Sequence, residues 1–152
     1  MKIILKRKKS MPVKPIDLAA LEAHMLTMPN QVEIPTEHIF SGGVYIRQVT
    51  IPAGTIIMGM RHRYSTCNIL LKGVLRVYVD PGEPPITITG PRIFTSPPNA
   101  KKFAYCQEEA VFINVIPTTE TDPDEIERQF IIPEQEYLEL QEAEKCHSLP
   151  LQ

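Results

Sequence analysis

The chain has 152 residues, of which 43% are apolar and 22% charged, and its net charge is -2. That is the length of one domain able to bury a core, with the composition of an ordinary folded protein. No apolar run approaches the roughly 18 residues needed to span a membrane. Cys67, Cys106 and Cys146 lie far apart with no C-x-x-C spacing, which argues against a disulfide framework and a zinc knuckle. Cys67 and Cys106 read as buried free thiols.

The chain begins with a basic arm, residues 1–14, carrying Lys2, Lys6, Arg7, Lys8, Lys9 and Lys14 and no acid. Its apolar piece (Ile3, Ile4, Leu5) is too short for a signal peptide, so a cytoplasmic protein is expected. The arm has no aromatic residue to stack on bases. It reads as a solvated or docked tail, and nucleic acid is not an expected partner. Residues 16–27 (IDLAALEAHMLT) predict a helix, with Leu18, Leu21 and Met25 on one face and Pro15 where a helix start tolerates it. His24 on that helix reads as a surface or packing residue.

Residues 44–51 (VYIRQVTI), rich in β-branched side chains between Gly42, Gly43 and Pro52, predict a strand. Strands are expected to follow at 55–60, 67–72, 74–79, 86–89, 91–95, 101–106 and 110–116, each ending near Gly, Pro, Asn or Asp. Many short strands punctuated by 15 prolines indicate a β-sandwich or jelly roll. The stretch 80–85 (DPGEPP) is a loop. Asp122, Pro123, Asp124 and Glu125 predict a helix start: a capping acid, proline first and Glu third. That helix should run to about Phe130, and Pro133 should open another, EQEYLELQEAEK, with its acids mostly facing water. The region 120–144 is strongly acidic, with Arg128 as its one base.

The stretch PAGTIIMGMRHRYSTCNILLKG, residues 52–73, carries the motif that matters most. Gly54 is followed by five residues, then by Met60, His62, Thr66 and Gly73 at the spacing glycine, five residues, x-x-His, three residues, x, six residues, glycine. A second, looser half begins at Gly90, turns at Pro97, Pro98 and Asn99, and continues through Lys102 and Cys106. In this spacing the chain resembles the cupin superfamily over roughly residues 38–117. The segments EHIFSGGVYIRQVTIPAGTIIMGMRHR, SPPNAKKFAYCQEEAVFINVIPT and TETDPDEIE look like a small cupin-like family of bacteriophage proteins, which have a helix before the barrel and an acidic helix after it.

The resemblance implies a single cupin-type jelly-roll barrel, mainly β, with a short N-terminal helix and one or two C-terminal helices. It divides the chain into the arm at 1–14, a helix and linker at 15–37, the barrel at 38–117 and an acidic helical segment at 118–152. It implies a phage origin and a place in the host-cell cytoplasm or the virion. A cupin metal site uses three imidazoles and a carboxylate, but of the four positions here only His62 keeps its type, beside Met60, Thr66 and Lys102. No metal, cofactor or catalytic residue is therefore assigned.

The same positions suit a different chemistry. His62, Lys102, Tyr105, Met60, Thr66 and Tyr45 are the candidate ligand-binding residues, with Arg47, Arg61, Arg63 and Tyr64 as further donors at the mouth. Cationic donors in an apolar hollow favour a phosphate or carboxylate. The same side chains would equally suit a barrel that is simply packed. A buried Lys102 needs an anionic partner, supplied by a ligand or by Glu108 or Glu109. Cys67 and Cys106, with His62 as a base, read as small hydrophobes rather than nucleophiles.

Three classes of function stay open. The first is a non-enzymatic phage accessory protein acting through self-association and contacts with phage or host proteins. The second is a binder of a small anionic ligand, such as a nucleotide or sugar derivative. The third is a cupin isomerase or metal-dependent dioxygenase. A homodimer is expected because open jelly rolls have edge strands to cover, with 44–51 and the 16–27 helix as the surfaces.

Overall fold

The computed structural model describes residues 16–79 and 84–147, the last two of these by backbone alone. The basic arm, most of the 80–85 loop and the Cys146 side chain lie outside the described residues. Helix α1 (Leu18–Thr27) starts where the Asp17 carboxylate accepts a hydrogen bond from the Ala20 amide at 3.0 Å. It buries Leu18 and little else.

The strands are β1 (Thr36–Ser41), β2 (Val44–Ile51), β3 (Ile56–Met58), β4 (Arg61–His62), β5 (Thr66–Val79), β6 (Ile86–Thr89), β7 (Arg92–Ser96), β8 (Lys102–Pro117) and β9 (Ile131–Ile132). Two long strands organise the fold. β5 and β8 pair antiparallel from Cys67↔Val115 to Val79↔Lys102, and register shifts at Leu70, Lys72 and Val74 bend the pair sharply. On the far edge of β8, β2 covers one half and β3 the other. On the far edge of β5, β7 covers one half and β6 the other. β1 pairs with β2 at the end of the sheet.

The bend turns one seven-stranded sheet into two layers with a core between them. Val49, Ile51 and Leu70 from one half pack with Leu75, Val77, Ile88, Ala104 and Cys106 from the other. Each fully buried Leu or Ile of this kind contributes roughly 1.5–3 kcal/mol. This is the expected jelly roll. The strands expected separately at 67–72 and 74–79, and at 101–106 and 110–116, are each one strand, because a bulge bends a ladder without ending it.

Helices α2 (Pro123–Phe130) and α3 (Glu134–His147) follow the barrel. Asp122 caps α2 as expected, accepting from the Asp124 amide at 2.9 Å. Ile126 seats the helix against Tyr45 and Ile116. β9 then pairs with β4, Arg61↔Ile132 and His62↔Ile131, so the chain beyond the barrel holds the histidine segment in place.

The acids of α3 do not simply face water. Glu134 pairs with Arg61 and Lys101, and Glu136 with Arg63 at 2.6 and 2.8 Å. Strand 44–51, expected at a dimer edge, lies between β1 and β8, so both its edges are taken; β1 ends the sheet on that side and β6 on the other.

Candidate functional site

The two layers enclose a cavity of about 1440 Å³, and α1 and α2 also line it. In an antiparallel sheet, residues directly opposite one another share a face. The pairings His38↔Arg47, Arg47↔Asn114, Asn114↔Asn68 and Asn68↔Phe94 therefore run one row of side chains across β1, β2, β8, β5 and β7 on the cavity side. All five residues line the cavity.

The row is tied together. Asn114 Nδ2 donates to Asn68 Oδ1 at 2.8 Å, and Asn68 Nδ2 donates to the Thr66 carbonyl at 3.1 Å and to Ser96 Oγ at 2.8 Å. Lys102 Nζ also donates to Ser96 Oγ. Next to the row, Tyr45 is buried and its hydroxyl shares a 2.7 Å hydrogen bond with His38 Nδ1, the two rings lying stacked. Burial pushes the Tyr45 phenol up, so it stays protonated.

His62 Nδ1 and Thr66 Oγ1 are 2.6 Å apart. The single hydroxyl proton of Thr66 is directed to the Tyr64 carbonyl at 3.3 Å. Thr66 Oγ1 is then assigned as acceptor from Nδ1–H, which leaves the lone pair of a neutral imidazole on Nε2. Burial lowers the His62 pKa, and the charges of Lys102 and then Arg47 lower it further. His62 is therefore neutral at physiological pH and lies within the field of both cations. Burial lowers the pKa of Lys102 as well.

Of the expected ligand-binding residues, His62, Lys102 and Tyr45 line this cavity, and Thr66 holds the His62 ring. Met60 is at the mouth, 51% exposed. Tyr105 is not part of the site. Side chains alternate along β8, and Lys102, Ala104 and Cys106 take the inward parity, so Tyr105 faces outward, 39% exposed. Arg61 and Arg63, on either side of His62, are drawn away from it by Glu134 and Glu136 of α3. Tyr64 is exposed and packs edge-on against Phe130.

Glu109 pairs with Lys72 at 2.8 Å rather than with Lys102, and Glu108 is exposed. The buried Cys106 thiol is raised by desolvation and donates to the Ile51 and Glu108 carbonyls, so it is no nucleophile. Asn68, Asn114, Ser96 and His38 are the residues the motif spacing did not reveal. Their signal is a polar residue at an inward position of an otherwise apolar strand, as in TCNILL and VFINVI.

A second hollow of about 580 Å³ lies between the barrel and α3 and contains Arg61, Arg63 and Lys101. Its cations already hold Glu134, Glu22 and Glu136, so it is a docking joint rather than an open anion site.

No family model and no curated protein matches the chain. Solved structures do. KdgF from Halomonas sp. aligns over 65% of this chain and 90% of its own, with 14% identity and a TM-score of 0.50. A cupin superfamily protein from Desulfitobacterium hafniense DCB-2 covers 75% of this chain and 94% of its own at 11% identity, TM-score 0.48. An RmlC-like cupin with a double-stranded β-helix fold, from Methanocaldococcus jannaschii, covers 60% and 85% at 16% identity, TM-score 0.47. The fold is the cupin jelly roll. At these identities the likeness extends to the fold alone.

A cupin metal does not fit the residues present. His62 offers one imidazole lone pair, on Nε2, but Lys102 brings a cation bound to Ser96 where a second imidazole would stand, Thr66 is a hydroxyl in place of the carboxylate, and Met60 lies half in solvent. Among the described residues no three His, Cys, Asp or Glu side chains converge. Elemental analysis after mild purification is expected to give well under one equivalent of Fe, Mn, Ni or Zn. Near one equivalent that disappears in His62→Ala would overturn this. Among the described residues no helix is long and apolar enough to cross a membrane.

Proposed function

We propose that the barrel binds a small anionic ligand, a phosphate- or carboxylate-bearing molecule with an apolar body. One observation carries this. Lys102 is half-buried against the cavity with no carboxylate partner among the described residues, and Arg47, exposed on the same wall, has none either. An unpaired cation in a low-dielectric hollow is costly, and a bound anion offsets that cost. The acids that border the cavity do not fill this role: Glu22 is held by Lys101, and Asp122, Asp124 and Glu127 are exposed on or beside α2. Phe94, Phe112, Leu75 and Val77 supply the apolar wall.

The test is thermal shift with nucleotides, sugar phosphates and aryl carboxylates. A ligand at a hundred times its Kd adds about 2.7 kcal/mol, or roughly 5–10 °C for a chain of this size. Arg47→Gln and Lys102→Met should each lose about 1.5–3 kcal/mol of binding, roughly ten- to a hundredfold. His62→Ala, removing a neutral hydrogen bond, should lose about 1 kcal/mol. A wild type that shifts with none of these anions would end the reading.

Lys102→Met should also raise the unliganded melting temperature, because the folded state then buries one cation fewer. The sign follows from linkage. The folded pKa of Lys102 lies below its ordinary 10.5, so the unfolded chain binds the proton more tightly. The cost is fully present below the folded pKa and is relieved as pH rises toward 10.5. Wild type should therefore gain stability over that window, and Lys102→Met should lack the gain.

A second reading, an accessory protein acting through self-association and protein contacts, has the free edge of β1 behind it. Ile39 and Phe40 are exposed on that strand. Sedimentation at micromolar concentration should give twice 17.2 kDa, returning to 17.2 kDa in Ile39→Lys. A wild-type mass of 17.2 kDa would remove this reading.

A further inference from the structure

We propose that Lys102 forms an imine with a 2-oxo carboxylate held in the barrel cavity. The inference rests on the cavity's taking an anion and goes on to name that anion's reactive group. Three placements carry it. Lys102 Nζ has Ser96 Oγ as its hydrogen-bond partner and sits 6.0 Å over the Phe94 ring, with no carboxylate to hold it as an ammonium. The neighbouring Lys101 is the contrast: at 3% exposed it is more deeply buried, but Glu22 and Glu134 both bind it. Lys72 is also paired, with Glu109, at the surface. Of these three lysines, only Lys102 faces the cavity without an acid.

The second placement is His62, neutral and close enough to feel the Lys102 charge, with Nδ1 spent on Thr66 and a lone pair on Nε2. The third is Arg47, exposed on the same cavity wall, whose guanidinium fork matches a carboxylate. The roles divide accordingly. Burial lowers the Lys102 pKa from its ordinary value, so its ammonium gives up a proton more readily than a surface lysine does, and the resulting amine is the nucleophile. Arg47 holds the carboxylate.

The chemistry balances without a further reactant. The Nζ lone pair attacks the ketone carbon, a C–N bond forms, and the carbonyl π electrons move to oxygen. One proton passes from nitrogen to that oxygen, with Nε2 of His62 as carrier, giving the carbinolamine, and the second N–H proton follows by the same carrier to the hydroxyl. The C–O bond then breaks, water leaves, and the nitrogen lone pair closes the C=N bond. Ser96 Oγ, freed of its lysine proton, stays beside the new imine.

Phenylpyruvate is a suitable probe because its ring matches the Phe94 and Phe112 wall. The full-length protein is incubated with it and with cyanoborohydride at neutral pH, and the intact mass and the modified peptide are read. Phenyllactate, the same anion without the ketone, serves as competitor and as a thermal-shift ligand. The expected result is one reduced adduct per chain on Lys102, suppressed by phenyllactate, absent in Lys102→Met and Lys102→Arg, and at least tenfold slower in Arg47→Gln. Labelling spread over Lys72 and other lysines would overturn the proposal, because it would report ordinary surface amines. No adduct while phenyllactate still raises the melting temperature would overturn the imine and leave anion binding standing. No adduct and no shift with phenyllactate or any anion of the wider panel would remove both.

Discussion

Gly73→Ala is expected to be the most damaging single-methyl change in the chain, costing roughly 4 kcal/mol or preventing folding. Gly73 sits at the bulge where β5 bends, with φ of +96°, a region that L side chains rarely adopt. Strain alone would cost about 1–2 kcal/mol. Here a Cβ would also lie 2.4 Å from the Glu109 carbonyl oxygen and 2.6 Å from Ala110 Cα. Both obstacles are backbone of the paired strand β8 and cannot rotate away. Gly90 meets the same place from the other side, its amide donating to the Gly73 carbonyl at 2.9 Å. Gly42→Ala is the control, since a Cβ there meets nothing within 4 Å. Urea unfolding reads both variants, and equal midpoints would show that the bend tolerates a side chain and that this account of it is wrong.

Those two glycines close the first motif and open the second, so the sequence pattern marks a mechanical feature as well as ligand positions. Other features were legible for local reasons. β2 matches its expected range because Gly42, Gly43 and Pro52 bound an unbroken β-branched run. α2 matches because Asp122 and Pro123 form a complete start signal. β1 was not foreseen: TEHIFS has no apolar alternation and is mostly exposed, so only its pairing with β2 makes it a strand. β4 and β9 are two residues each and exist because each finds the other across nearly seventy residues of chain.

In the site, spacing located His62, Thr66 and Lys102, but the assignment of their neighbours needed parity. Arg61 precedes His62 in β4 and points to the opposite face, and Tyr105 alternates with Ala104 and Cys106. That rule needs only the strand boundaries. The pairing of Lys102 with Ser96, and of Arg61 with Glu134, needs the fold, because no local pattern says which long side chains meet.

Glu134→Gln is expected to lower stability by roughly 3 kcal/mol. The carboxylate lies 3.2 and 3.3 Å from the Arg61 guanidinium and 2.9 Å from Lys101 Nζ. Those two cations are 6% and 3% exposed, and Lys101 also holds Glu22 of α1. Tyr137 caps the arrangement, its ring centre 3.8 Å from the Arg61 guanidinium carbon. Replacing a buried pair by apolar groups is often neutral, but removing one charge leaves a buried cation short of its partner, which costs about 3–5 kcal/mol. Glu134 itself is 26% exposed, so the lower end applies.

The pH dependence has a definite sign. Burial pushes the Glu134 carboxyl up, but hydrogen bonds and charge from Arg61 and Lys101 outweigh it and leave the pKa below its ordinary 4.5. Its contribution is therefore present above pH 4.5 and is lost as pH falls through 4.5 toward the folded value. Wild type should lose stability through that acid window and Glu134→Gln should lose less. Glu136→Gln separates burial from mere pairing: Glu136 and Arg63 form a shorter ion pair in the open, and its loss should leave the midpoint close to wild type. Hydrogen exchange should show α3 opening first in Glu134→Gln while the β5–β8 ladder stays protected. If Glu134→Gln unfolds no earlier than Glu136→Gln, the joint between barrel and helix is held by apolar contacts alone.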